Sequence, residues 1–270
     1  MIAKKKASVI VELLLCGGLL AVGLPSASHA QTVLYDNFNG RQLDPDKWTG
    51  QVGFDGDGAS LELIRKLEGG RLLMSQRVVA ASTSDQGQHF TVNDLLFLTP
   101  DQTAIQFDAR VASFDLLGCT VAGSEGAFVL VRIRNSLFMD KDREGTFNAF
   151  LEIFQDNSFP GGPPNLLRVQ ASIDHPALAE LPFPDRVRDL GTVLVGQRIT
   201  LRMEWLPNQK RVDFQRDREA VISIPYDLDD SLPPDGPDVI STEVAAPNCT
   251  VGGRHFAEIA VFFDNVFVDP

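Results

Sequence analysis

The sequence predicts an all-β protein, folded as a two-sheet antiparallel jelly-roll sandwich. Two observations carry this prediction. Apolar and polar residues alternate with a period of two over about a dozen short segments, and Gly, Pro and Asp cluster between those segments. After residue 30, no stretch shows the 3.6-residue periodicity of a helix of ordinary length. So many antiparallel strands in a chain of this length are typical of a sandwich.

The predicted strands follow one another along almost the whole chain. In order they are 33–38, 61–67, 71–78, 104–114, 126–134, 147–156, 166–173, 197–205, 211–216, 220–225 and 257–268. Gly69 and Gly70 join the second and third strands as a hairpin. The segments 158–164 and 227–247 are predicted loops because they are rich in Pro, Gly and Asp. No repeat and no long linker divides the chain, so residues 31–270 are predicted to form one domain.

Residues 1–30 have the pattern of a bacterial signal peptide. A positive segment ending at Lys6 precedes a mostly apolar run, and Ala30 completes the small-x-small pattern of a cleavage site. We therefore expect export, with a mature chain that begins at Gln31. The periplasm, the cell surface and the medium are equally compatible with this pattern. No later apolar segment is long enough to span a membrane.

The charge balance narrows the classes of partner. The chain has 36 acidic and 24 basic residues, which give a formal net charge of −12. Such a surface repels nucleic acid and anionic lipid, so neither is an expected partner. The sequence contains no Gly-rich phosphate loop and no zinc-ligand spacing, so no catalytic cofactor is predicted.

Two cysteines remain in the predicted mature chain. Cys119 and Cys249 both lie in polar, loop-like segments, which favours one disulfide in an oxidising compartment. Such a bridge would stabilise the fold by about 4 kcal/mol in the chain-entropy model. The alternative is two separate buried thiols.

Four predicted strands share a polar face. They are 104–114, 126–134, 147–156 and 166–173, and side chains two apart on a strand point the same way. If these strands are neighbours, one sheet has an outer face that carries Arg110, Arg132, Arg134, Glu152, Arg168 and Gln170. Two interpretations are open: an ordinary solvated sheet face, or a ligand groove.

Six short segments occur in the order found in one known superfamily. They are 34–40 (LYDNFNG), 43–48 (LDPDKW), 66–72 (KLEGGRL), 205–208 (WLPN), 212–214 (VDF) and 263–268 (FDNVFV). Together they resemble concanavalin A-like lectin/glucanase domains and, more distantly, glycoside hydrolase family 16. The resemblance implies a ligand groove on a concave sheet and neighbouring first and last strands. It also implies a structural calcium ion on the convex side, held by Asn37, Gly70 and Asp264.

The strand 147–156 tests whether the resemblance extends to catalysis. Family 16 hydrolases have Glu-x-Asp-x-Glu here, whereas this chain has Glu152, Phe154 and Asp156. A retaining glycosidase needs two carboxyl groups about 5–5.5 Å apart. Phe154 cannot hydrogen-bond a nucleophile, and Asp is one methylene shorter than Glu. We therefore assign no catalytic residue.

The aromatic composition points to the class of ligand. The chain has 18 Phe but only two Trp and two Tyr, and the segments around Trp48 and Trp205 are predicted to be structural. Sugar rings usually stack on Trp and Tyr in long neutral-glycan grooves. An Arg-rich face suits anionic glycans better, because guanidinium forks pair with carboxylate and sulfate. The histidines, His89, His175 and His255, are predicted to lie at the surface.

These observations predict an exported, non-catalytic, lectin-like protein that binds a poly- or oligosaccharide. The predicted contacts are Arg132, Arg134, Glu152, Arg168 and Gln170. One alternative is a glycoside hydrolase or polysaccharide lyase with Glu152 and Asp156 as its carboxylate pair. Another is a structural envelope or matrix protein that binds a protein partner. The sequence indicates neither a particular sugar nor an oligomeric state.

Overall fold

The computed structural model describes residues 31–55, 59–82, 89–99, 102–117, 128–140, 145–156, 163, 165–234, 236–246 and 254–269. Within these ranges the chain forms fifteen strands. They are β1 (Val33–Asp36), β2 (Trp48–Asp55), β3 (Ser60–Leu67), β4 (Leu72–Val79), β5 (His89–Phe97), β6 (Ala104–Leu117), β7 (Phe128–Asp140), β8 (Gly145–Asp156), β9 (Leu166–Asp174), β10 (Val187–Leu194), β11 (Ile199–Leu206), β12 (Arg211–Arg216), β13 (Ile222–Pro225), β14 (Val239–Ala246) and β15 (Phe256–Val268). One short helix, α1 (Phe183–Arg186), and two 3₁₀ turns, Pro176–Leu178 and Pro207–Gln209, complete the described elements.

The strands form two antiparallel sheets that pack against each other. The eight-stranded sheet has the order β13-β12-β11-β6-β15-β4-β3, and β1 pairs with the end of β15. The seven-stranded sheet has the order β10-β9-β8-β7-β14-β5-β2. The predicted all-β sandwich is confirmed, and so is the expected pairing of the first and last strands.

The core between the sheets contains both tryptophans. Trp48 packs against Phe97 and Tyr35, with ring centres 4.5 and 5.1 Å apart, and Trp205 donates a hydrogen bond of 2.7 Å to the Tyr226 hydroxyl. All five side chains are buried. The expected structural role of Trp48 and Trp205 is therefore confirmed, and none of the Trp or Tyr side chains of this protein lies on an outer face.

Four strands were not predicted. These are β2, β5, β10 and β14, and β14 lies inside the predicted loop 227–247. Its residues are buried on both faces, and it forms the connection between β7 and β5 in the seven-stranded sheet. A strand with Ser, Thr and Glu at its centre lacks the continuous apolar run typical of a doubly buried strand, which explains why the pattern concealed it.

Two further predictions concern export and covalent structure. Cys119 and Cys249 both lie outside the described residues, so their disulfide stays a prediction. The predicted signal segment, residues 1–30, also lies outside them. In the part of the chain that the structure describes, no helix is long and apolar enough to cross a membrane.

Candidate functional site

The outer face of the seven-stranded sheet, hereafter the seven-stranded face, places three of the predicted contact residues in one row. Arg132 on β7 is paired in register with Glu152 on β8, and Glu152 is paired with Gln170 on β9. Val131 and Ile133, the neighbours of Arg132 in the chain, are fully buried in the core. Since side chains alternate along a strand, the row Arg132, Glu152 and Gln170 points outward.

Arg132 lies at the centre of a network of charged hydrogen bonds. Its Nε donates to Glu152 Oε1 at 2.9 Å, and its Nη1 donates to Glu243 Oε1 at 2.8 Å. Gln170 Nε2 donates to the other oxygen of Glu152 at 2.7 Å. The Arg132 guanidinium also lies over the ring of Phe150, 5.0 Å from its centre. One cation thus bridges carboxylates from the strands on both sides of β7.

Burial and charge oppose each other in this network. Burial lowers the pKa of Arg132, but the adjacent Glu152 and Glu243 carboxylates outweigh that effect and raise it above its ordinary value. Burial raises the pKa of Glu243, Arg132 opposes that shift, and the negative charges of Glu152 and Asp94 add to it. The network is therefore held together by Arg132, and removing this cation would leave two poorly solvated carboxylates.

A cavity of about 260 Å³ opens beside the network, between β5, β14 and β7. Its lining combines two carboxylates, two guanidiniums, one hydroxyl and apolar side chains. These residues are Phe90, Val92, Asp94, Arg132, Arg134, Val239, Ser241 and Glu243. Such a mixture of apolar walls and a few converging polar groups is typical of a small-molecule site.

The two other predicted contacts, Arg134 and Arg168, are placed differently. Arg134 lines the cavity, makes no salt bridge with any described residue, and has a buried Nε without a hydrogen-bond partner. Arg168 on β9 lies over the ring of Phe154, 5.4 Å from its centre, and is exposed. Three of the five predicted contacts, Arg132, Glu152 and Gln170, thus belong to the network. Arg134 lines the cavity beside it, and Arg168 lies on the far side of the network.

The predicted placement of one arginine was wrong. Arg110 was expected on the same face as Arg132, but β6 belongs to the eight-stranded sheet, where it pairs with β11 and β15. The expectation assumed that successive strands are neighbours, whereas this chain crosses between sheets from β6 to β7. Asp94, Ser241 and Glu243 were not among the predicted site residues, because β5 and β14 were not predicted. The three-residue polar run at 241–243 interrupts the apolar pattern that would have indicated a buried strand.

Glu152 and Asp156, the carboxylate pair of the alternative enzyme hypothesis, both lie on β8. Both oxygens of Glu152 accept hydrogen bonds, and its side chain is only 8% exposed. Asp156 is the last residue of β8, and its side chain lies outside what the structure describes.

A lyase reaction would need a histidine or tyrosine base near the ligand. The prediction that the three histidines are surface residues was wrong, since His89, His175 and His255 are all buried. His175 Nδ1 accepts a hydrogen bond from Ala177 N at 3.1 Å, and its Nε2 lies 3.8 Å from Asp140 Oδ2. None of these three histidines is therefore exposed on the seven-stranded face.

The residues predicted to bind calcium come from neighbouring segments. Asp264 lies on β15, between β6 and β4, and Gly70 ends the turn before β4 with a φ of +71°. A Cβ at Gly70 would lie 2.6 Å from Asn39 Oδ1, so Asn39, rather than Asn37, directs its amide oxygen at this turn. Asn37 Oδ1 accepts from Asn39 N at 3.2 Å. Among the described residues, no group of three or more His, Cys, Asp or Glu is arranged to hold a metal, and calcium stays a prediction.

Comparison with known proteins gave no matching family model and no matching curated protein. Solved structures did match. LamAcat from Zobellia galactanivorans is 13% identical, with 87% of this chain and 96% of that chain covered and a TM-score of 0.45. SCLam, a non-specific endo-β-1,3(4)-glucanase from family GH16, is 13% identical, with 88% and 92% covered and a TM-score of 0.40. The basic winged bean lectin is 10% identical, with 83% and 100% covered and a TM-score of 0.32. All three likenesses are distant, and they include both a glucanase and a lectin.

Proposed function

We propose that this protein is an exported, non-catalytic carbohydrate-binding protein whose ligand lies on the seven-stranded face. The observation that carries the proposal is the position of the 260 Å³ cavity directly beside the Arg132 network. The network supplies rigid polar groups, and the cavity gives a concave seat with apolar walls from Phe90 and Val92. A sugar needs both, because it presents hydroxyls at its edges and C–H groups on its faces.

The unpaired guanidinium in the cavity supports an acidic sugar as the ligand. Arg132 is engaged by Glu152 and Glu243, whereas Arg134 has no salt bridge among the described residues. A carboxylate or sulfate group of a glycan would supply the missing partner through paired charged hydrogen bonds. We therefore propose that Arg134 recognises the acidic group and that the Arg132 network fixes the sugar next to it.

A non-catalytic role is supported by the state of Glu152. Both Glu152 oxygens accept hydrogen bonds from neighbouring strands, from Arg132 and Gln170, which favours a structural role for this carboxylate. Sugar release that is lost in Glu152→Gln would reverse this part of the proposal. A protein partner that co-purifies, with no affinity for any glycan, would favour the structural envelope or matrix protein instead.

A glycan array tests the proposed function. It should contain neutral glucans and galactans together with uronate-containing and sulfated glycans. We expect binding to acidic glycans by the wild-type protein, reduced signals for Arg134→Gln/Arg168→Gln, and unchanged signals for Arg41→Gln/Arg218→Gln, which removes two exposed arginines outside the seven-stranded face. Absence of binding to every glycan would overturn the proposal.

Export and the disulfide belong to the same proposal. We expect the secreted protein to begin at Gln31, as N-terminal sequencing would show. Peptide mass mapping without reduction should recover Cys119 linked to Cys249. Free thiols at both positions would contradict the bridge.

A further inference from the structure

The outer face of the eight-stranded sheet, hereafter the eight-stranded face, carries two arginines held by one aromatic ring. The guanidinium carbons of Arg71 and Arg110 lie 4.8 and 4.9 Å from the ring centre of Phe262 on β15. Arg110 is on β6, on one side of β15, whereas Arg71 immediately precedes β4, on the other side. Two cations therefore flank Phe262 and are positioned by cation–π contact.

Neither cation is neutralised by a described residue. Neither guanidinium forms a salt bridge within the part of the chain that the structure describes, and the Nε of Arg110 is buried without a hydrogen-bond partner. The closest carboxylate on β6, Asp108, is already engaged. It accepts hydrogen bonds from Thr200 at 2.5 Å, from Asn265 at 2.8 Å and from Arg198. The arginine pair thus keeps its charge for an external partner.

A shallow trough runs across the sheet beside the arginine pair. Ser75, Ala260 and Ser113 are neighbours in register on β4, β15 and β6, and a cavity of about 140 Å³ opens over them. Glu62, Arg77 and Glu258 line one side of this cavity, where Arg77 lies in register between the two glutamates and pairs with Glu258 at 3.4 Å. The row of small side chains therefore lies between the arginine pair and this mixed-charge row, about 7 Å of strand from each.

We propose that the eight-stranded face carries a second saccharide site, in which Arg71 and Arg110 bind carboxylate or sulfate groups of an acidic glycan lying along the trough. Guanidinium groups held at a fixed separation pair with successive oxyanions, and cation–π contact lowers the entropy lost on binding. Glu62 and Glu258 accept hydrogen bonds from sugar hydroxyls. The protein then binds acidic glycan on both faces and can cross-link chains.

The ligand class follows from charge and size. Nucleic acid is disfavoured as a ligand, because the protein's net charge of −12 repels its phosphate backbone. A cavity of 140 Å³ is too shallow for a helix but accommodates part of a sugar ring. The choice of a glycan, rather than an isolated anion, rests on the function proposed for the seven-stranded face. The arginine pair and trough do not depend on it.

Calorimetric titration of the full-length mature protein with tetragalacturonate and with a sulfated tetrasaccharide tests this inference. Wild-type protein should bind at two sites. The Arg71→Gln/Arg110→Gln variant should lose one site, because each removed charged contact weakens binding by about tenfold. The Arg41→Gln/Arg218→Gln variant, which removes the same charge elsewhere, should keep both. Inorganic sulfate at the same concentration serves as the isolated-anion probe.

The outcomes separate the two proposals. If Arg71→Gln/Arg110→Gln retains the wild-type number of sites and affinity, the second site is overturned. Equal binding of inorganic sulfate and of the sulfated tetrasaccharide would overturn the glycan as its ligand. If wild-type protein has one site that is lost only in Arg71→Gln/Arg110→Gln, the second site stands and the proposed function of the seven-stranded face fails. If wild-type protein has one site that is lost only in Arg134→Gln, the proposed function of the seven-stranded face stands and the second site fails.

Discussion

Arg132 and the Arg71/Arg110 pair lie on opposite outer faces of the sandwich and have different neighbours. On the seven-stranded face, Arg132 is bound by two carboxylates from neighbouring strands. On the eight-stranded face, Arg71 and Arg110 lie against the ring of Phe262. Carboxylates neutralise a guanidinium, whereas an aromatic ring orients it and leaves its hydrogen-bond donors free. We therefore expect Arg132 to contribute more to the stability of the fold than Arg71 or Arg110, whose donors stay open to a ligand.

The largest expected effect comes from removing the bridging cation. Arg132→Ala should lower the free energy of unfolding by about 3 kcal/mol, because it leaves Glu152 and Glu243 without their shared partner in a poorly hydrated site. Urea unfolding followed by fluorescence measures this. The same substitution at Arg110 should cost less than about 1 kcal/mol, since only a cation–π contact is lost.

A matched variant separates lost packing from lost charge. Arg132→Met with Glu152→Gln and Glu243→Gln removes the cation and both carboxylates, and should recover much of the stability lost in Arg132→Ala. If Arg132→Ala and Arg110→Ala were equally stable, the contrast between the two faces would be wrong.

Calcium should stabilise the side of the sandwich that carries Asp264. A ligand at a hundred times its Kd raises the free energy of unfolding by about 2.7 kcal/mol. We expect millimolar calcium to raise the Tm, chelator to reverse the shift, and Asp264→Asn to abolish it, while Asp46→Asn responds like wild type. A Tm that is insensitive to calcium would contradict the site implied by the family resemblance.

A smaller effect is expected from pH. Burial holds the pKa of Glu243 above its ordinary value of 4.5. The native state therefore binds this proton more tightly than the unfolded chain. Its contribution to stability is present below pH 4.5 and is lost as the pH rises through the raised pKa. Urea unfolding between pH 4 and 8 should show this decline in wild type and a flatter profile in Glu243→Gln. Identical pH profiles of wild type and Glu243→Gln would show that Glu243 does not cause the decline in stability.

The fold could be predicted because alternation and turn residues are local signals. The polar row of Arg132, Glu152 and Gln170 could also be predicted, because these three residues lie at outward positions of strands with a clear alternating pattern. Glu243 could not be predicted, because the polar centre of β14 lacks a strand pattern and because its partner Arg132 lies far away in the sequence, on β7. Arg110 was assigned to the wrong face because strand order in space depends on crossovers between sheets, which leave no mark on a single strand.

The central claim is that the cavity beside the Arg132 network binds an acidic sugar through Arg134. Calorimetric titration of Arg134→Gln with tetragalacturonate, in the Arg71→Gln/Arg110→Gln background, tests it most directly because only the seven-stranded face can then respond. We expect an affinity about tenfold weaker than that of the background protein, with an unchanged free energy of unfolding. An affinity equal to that of the background protein would contradict it.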